Sequence, residues 1–169
     1  MYKIDKTDIA IANLLLEDGR MSCAEIARRV GGISERSARY RLERLIQEGV
    51  IQVSAIANPR SIGYSIVADV WLQVEADQIK EVAQKMTEYE CISYVAYSIG
   101  ETDVSVQLIG RDTAEIYHFV TEVIGKTPGV IRTTTSIVPR VLKDIYQWRI
   151  PADWCIPDGV DLQDNLKGR

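Results

Sequence analysis

Six arginines fall between residues 28 and 44 (Arg28, Arg29, Arg36, Arg39, Arg41 and Arg44), opposed only by Glu35 and Glu43 and accompanied by no lysine. A guanidinium presents a planar fork of donors that fits phosphate oxygens or the edge of guanine two bonds at a time, so this composition favours forked anion recognition over diffuse attraction. Ser34, Ser37 and Tyr40 interleave with the arginines and add hydroxyls. Other chemistry is thinly represented. His118 is the only histidine, and Cys23, Cys91 and Cys155 are too dispersed for a disulfide framework or a zinc knuckle. No phosphate-cradling glycine loop or nucleophile elbow occurs. The sequence therefore predicts no metal, no cofactor and no catalytic residue: a protein that binds, not an enzyme.

The elements that would carry these arginines are short and well punctuated. Asp5 and Asp8 bracket a helix start, and Ile9, Ala12, Leu15 and Leu16 keep helical spacing up to Gly19. Ser22 and Glu25 form a capping-box pattern before Ile26, Ala27 and Val30, and Gly31-Gly32 stops that helix. Ser34 caps a third helix in which Ala38, Leu42, Leu45 and Ile46 form one stripe. At 100° per residue, Arg36, Tyr40, Glu43, Arg44 and Gln47 project from the far side, with Ser37, Arg39 and Arg41 on the flanks. Three helices followed by the β-prone run Val50–Ala57 predict a winged helix-turn-helix. Its third helix would enter the major groove of double-stranded DNA, with Arg36, Ser37 and Tyr40 near bases and Arg28, Arg29, Arg41 and Arg44 near phosphates. Arg41 has an alternative, an ion pair with a carboxylate of the first helix.

The second half predicts a β-α-β-β-α-β order, with strands near 64–75, 91–99, 103–110 and 130–139. One helix starts at Asp77, and another opens at Asp112 and carries Ile116, Phe119, Val120 and Val123 inward as far as Gly125. This is a ferredoxin-like α+β domain with both helices on one face of an antiparallel sheet. Val67 and Trp71 make the other face too apolar to leave wet, and the same face of a second copy would cover it, giving a homodimer. Charge divides along the same line: residues 1–60 carry ten Lys/Arg against eight Asp/Glu, and residues 61–169 carry ten against sixteen. No apolar run is long enough for a transmembrane span and no secretory pattern opens the chain, so the expected location is cytoplasmic and away from membranes.

The chain resembles the Lrp/AsnC family of feast/famine transcription regulators. The resemblance is carried by Ile4-Asp5-x-x-Asp8, Asp18-Gly19-Arg20-x-Ser22 and Glu25-Ile26-Ala27-Arg28-Arg29-Val30-Gly31. It continues through Ser34, Arg41-Leu42-x-x-Leu45-x-x-x-Gly49-Val50-Ile51, Asn58-Pro59, Gly100-x-x-Asp103 and Pro128-Gly129-Val130. It implies a regulator that dimerises through its C-terminal sheets, commonly assembles to octamers, and binds small effectors, usually amino acids, between sensor domains. The family's effector loop maps onto Gly100, Glu101, Thr102 and Asp103. There Gly100 would let the backbone approach a carboxylate and Asp103 would accept from an α-ammonium, with Ser98, Thr135 and Ser136 flanking. Siroheme decarboxylases share the architecture and use histidines, and a corepressor without DNA contacts is the other alternative.

These readings predict a DNA-binding domain over residues 1–50, a β-strand linker over 51–62, an effector-binding and dimerisation domain over 63–142, and an extension over 143–169. Gly31-Gly32 makes the turn before the third helix one residue longer than the family's usual one. Residues 146–157, with Trp148 and Trp154, are expected to dock on the sensor domain or a neighbouring subunit, and 160–169 to form a loose tail.

Overall fold

The structure, a computed structural model, describes residues 3–153. The expectations for Trp154, Cys155, Pro157 and the 160–169 tail lie outside the described residues. The described residues form two compact units, one comprising residues 3–55 together with 143–153, the other Ile56–Leu142.

In the first unit the local caps start the helices where their spacing predicts. Asp5 accepts from the Asp8 N–H at 2.9 Å and opens α1, Lys6–Glu17. Ser22 accepts from the Glu25 N–H and opens α2, Cys23–Val30. Ser34 accepts from the Ser37 N–H and opens α3, Glu35–Gln47. Ile11, Ile26, Ala27, Ala38 and Leu45 close the core between them. Ile46 departs from expectation. It lies on the edge of the apolar stripe and remains exposed, because Leu45 takes the inward position on that turn.

Val50–Ala57 forms no strand with the described residues of this chain. Among the described residues nothing pairs with its backbone as a ladder; the Val50 and Ile51 amides bond back to the Leu45 carbonyl at the end of α3, and Val53 and Ile56 are exposed. A second departure concerns the extension. Its described part joins the first unit instead of docking on the βαββαβ domain: after a 3-10 turn at Ile145–Gln147, Arg149 and Ile150 bond to side chains of α1.

The second unit is a four-stranded antiparallel sheet whose spatial order is β2 (Ile92–Tyr97), β3 (Val104–Gly110), β1 (Ile66–Val74) and β4 (Val130–Val138). In chain order it runs β1 (Ile66–Val74), α4 (Ile79–Met86), β2 (Ile92–Tyr97), β3 (Val104–Gly110), α5 (Thr113–His118) and β4 (Val130–Val138). Ala68, Val70, Leu72 and Val74 of β1 and Val104, Val106 and Leu108 of β3 pack against Val82, Ala83 and Met86 of α4 and Ile116 of α5. Asp77 does not cap α4, which begins after Gln78 without a side-chain cap. Beyond His118, α5 continues as a π-helix over Phe119–Ile124. The wider turn delays the inward phase by one residue, so Ile124, not Val123, is fully buried beside Val120. Among the described residues, no helix is long and apolar enough to cross a membrane.

Candidate functional site

Buried Ala38 and Leu45 fix the inner side of α3, and Arg36, Arg39, Tyr40 and Arg44 are all exposed on the remainder, Tyr40 to 62%. Ser37 is half-buried and Ser34 is engaged as the cap. Four residues, Gly31–Ser34, join α2 to α3. Gly31 (φ 73°, ψ 153°) lies in a region essentially reserved for glycine, and Gly32 also has positive φ, at 70°. The additional glycine is thus accommodated by two consecutive residues of positive φ. Space is open where a Cβ would point, so Gly31→Ala is expected to lose about 2 kcal/mol through backbone strain alone. Thermal unfolding measures this, and an unchanged midpoint would show that the turn does not need glycine.

The arginines divide into two sets. Arg36 makes no ion pair among the described residues. Arg28 holds Glu25 (Nε to Oε2, 2.8 Å), which keeps that carboxyl below its ordinary pKa. Arg39 holds Glu35 at 3.1 Å and Arg29 holds Glu17 at 2.9 Å. Solvent screens exposed pairs of this kind, so they contribute little to the fold.

Arg41 is different. Its Nη1 donates to Asp8 Oδ1 at 2.7 Å and Asp5 Oδ2 at 2.8 Å; the Asp8 side chain is 2% exposed and that of Arg41 28%. Asp5 and Asp8 also complete a capping box, since the Asp5 N–H donates to Asp8. Arg41 therefore occupies its alternative role, fastening α3 to the start of α1, and is not presented as a phosphate contact. The pairing shifts pKa values on both sides. Burial works to raise that of Asp5, but the Asp8 amide and Arg41 outweigh it and hold the carboxyl low; Asp8 and Asp5 push Arg41 up.

In the second unit, the predicted effector loop is a tight connection from β2 to β3. The Ser98 N–H donates to the Asp103 carbonyl (2.8 Å), the Asp103 N–H to the Leu72 carbonyl (2.8 Å), and the Val74 N–H to Asp103 Oδ2 (2.9 Å). Gly100 has φ 141°, and the Gln73 amide donates to the Glu101 carbonyl. Asp103 thus ties the loop to β1 through a side-chain oxygen and its own N–H, and closes it through its carbonyl. Ser98, Gly100, Glu101, Thr102 and Asp103 are brought together there, beside a fully exposed Ile99 that its sequence context gave no reason to single out. Thr135 and Ser136 are not brought to them. They pair with Val70 and Asp69, farther along β1, and alternate between the two sheet faces. His118 is exposed at the end of α5.

Residues 4–52 match a winged helix-turn-helix DNA-binding family model, and residues 67–148 match the Lrp/AsnC ligand binding domain. An uncharacterized HTH-type transcriptional regulator of Pyrococcus horikoshii is 36% identical over 142 residues, covering 83% of this chain and 89% of its own. The HTH-type transcriptional regulator LrpA of the same organism is 31% identical over 141 residues, covering 83% and 99%. Among solved structures, a transcriptional regulator from Neisseria meningitidis in complex with L-Met superposes with a TM-score of 0.78 at 27% identity, covering 83% of this chain and 93% of that one.

Proposed function

The chain belongs to the Lrp/AsnC family of DNA-binding transcriptional regulators, and from that premise we propose that it reads operator DNA with α3 and answers to an amino-acid effector at the β2–β3 loop. The observation that carries the first half is the division of the arginines: Arg41 is fastened inward, while Arg36, Arg39 and Arg44 remain on the exposed side of α3 with Tyr40. Arg36, Ser37 and Tyr40 sit on the N-terminal half of the helix, the part that reaches base edges, with Arg28, Arg29 and Arg44 meeting phosphates and Ser34 holding the helix start. Retention of duplex promoter fragments at about 0.1 M salt, compared with the Arg36→Ala, Arg39→Ala, Arg44→Ala triple variant, tests this. Unchanged retention by the variant overturns it.

The effector half is supported by the loop geometry and by the L-Met complex of the Neisseria meningitidis relative. Gly100 opens backbone room for a carboxylate, and Asp103 Oδ1 remains to meet an ammonium. Thr135 and Ser136 would join such a site only from another subunit. Calorimetry against a panel of amino acids is expected to find one ligand whose affinity falls at least about tenfold in Asp103→Ala, the loss of one charge-assisted bond. Equal affinity removes Asp103 from ligand contact.

Dimerisation through the helix-free sheet face completes the reading. Val67 lies there between Ile109 and Val138, and Trp71 between Ser105 and Thr134. A two-fold copy would cover this surface and present two recognition helices to successive turns of the groove, ~34 Å apart or a multiple of that distance. An effector binding two assemblies unequally would shift their populations and so the spacing of the readers.

A further inference from the structure

Two features of the sequence have no place in that function. Asn13 interrupts the most apolar run of the N-terminal unit, Ile9–Leu16, and a Tyr/Trp/Pro-bearing segment follows β4. The structure joins them. The Asn13 carboxamide donates from Nδ2 to the Ile150 carbonyl (2.9 Å) and accepts the Ile150 N–H on Oδ1 (2.9 Å). A carboxamide can satisfy both backbone groups of one residue at once; a carboxylate lacks the donor and an aliphatic side chain lacks both. One residue earlier, Arg149 donates to Glu17 Oε1 at 2.8 Å, and Arg29 donates to the other oxygen of the same carboxylate at 2.9 Å. Asp144 caps the preceding turn by accepting the Tyr146 N–H, which sets the path of the chain into this contact.

We propose that residues 144–151 are a return strap. After completing the sheet, the chain re-enters the DNA-binding unit and is held on α1 by the Asn13 carboxamide and Glu17. The unit is thereby held by two chain connections instead of the exposed linker alone, which restricts its conformations more than one tether does. The strap also alters charge where it lands. With Arg149 in place, Glu17 serves two guanidiniums and the trio carries a net positive charge; without it, Glu17 neutralises Arg29. Glu17 is held below the ordinary carboxylate range by Arg29 and then by Arg149. With the strap docked, Arg29 keeps its bond to Glu17 but shares that carboxylate's charge with Arg149, so the cluster retains a positive charge to draw a phosphate, an effect that rests on the DNA-binding reading; the docking itself does not.

Hydrogen exchange on the full chain without DNA tests the docking. Peptides spanning 144–151 are expected to show an Ile150 amide exchanging at least about tenfold more slowly than an unstructured one. Asn13→Asp and Asn13→Leu should each release it, while Asn13→Gln should retain part of the protection. Exchange at the unstructured rate in the parent chain, or protection indifferent to Asn13→Asp and Asn13→Leu alike, overturns the strap. Arg149→Gln lies on the surface and avoids any folding defect. It is expected to weaken binding to a mixed-sequence duplex about threefold at 0.1 M salt, a modest effect because both partners are exposed. Parent-like affinity, in a chain that does bind DNA, overturns the link between the strap and Arg29; a parent chain that binds no DNA would fault the DNA-binding reading instead.

Discussion

Asp8→Ala is expected to destabilise the N-terminal unit by about 3 kcal/mol, which in a unit this small is roughly 10–20 °C in thermal midpoint. The bond from Arg41 and the closing half of the capping box at Asp5 disappear together. Arg41 then faces Asp5 alone, so the cost stays below that of a fully orphaned buried charge. Arg41→Ala should cost a similar amount, and the double variant clearly less than the sum, because either change alone breaks the same ion pair. Circular dichroism melts measure this, and a midpoint within about 2 °C of the parent would remove Asp8 as a fastening. The cycle also distinguishes the two roles for Arg41. A phosphate contact would reduce the salt slope of DNA binding by about one per site, as expected for Arg28→Ala, whereas a fastening lowers stability without that reduction.

The neighbouring contact between Asp5 and Arg41 sets an acid limit. Because Asp5 has a depressed pKa in the fold, its contribution is fully present above the unfolded value and disappears as pH falls through the folded one. Stability should therefore be level near neutrality, begin to decline as pH approaches the ordinary value of 3.8, and lose this contribution once below the depressed folded value. In Asp5→Asn that part of the acid decline should be missing from a pH series of melts.

What the amino-acid order reveals directly is what is local. Asp5, Ser22, Ser34 and Asp112 all cap at the positions their spacing indicates, since a side chain bonding an amide two or three residues on needs nothing from the rest of the chain. Strand alternation likewise places β1 within two residues. The π-turns after His118 are hidden because the apolar spacing of Ile116, Phe119, Val120 and Val123 satisfies an ordinary helix equally well. Val50–Ala57 has the composition of a strand, but a strand is a property of a pair. The strap is out of reach for a similar reason: Asn13 and Ile150 are 137 residues apart, and their only local trace is one amide in an apolar run. At the candidate site, Arg36 and Arg41 are five residues apart on one helix with the same side chain. Helical phase sets Arg36 on the outer side and Arg41 on the flank, but which of its two roles Arg41 takes depends on where Asp5 and Asp8 land, and so on how α1 packs on α3.

The triple variant Arg36→Ala, Arg39→Ala, Arg44→Ala is expected to bind DNA at least about a hundredfold more weakly at 0.1 M salt while folding normally. Each arginine is exposed, and the Arg39–Glu35 pair is too well solvated to support the fold. A base-reading arginine contributes about 1–3 kcal/mol of discrimination, and removing one phosphate-binding cation lowers the salt slope by about 0.9. In a two-fold assembly every removal counts twice. The slope and the sequence preference should therefore separate the three positions. Arg36→Ala alone, near the start of α3, should flatten preference among operators more than it flattens the slope; Arg44→Ala should do the reverse. Buried Ala38 and Leu45 fix the inner side of α3, so truncating its outer face leaves the three-helix core intact. Weakened binding with an unchanged melt would thus report the surface itself, while equal binding by triple variant and parent would mean that this face does not meet DNA.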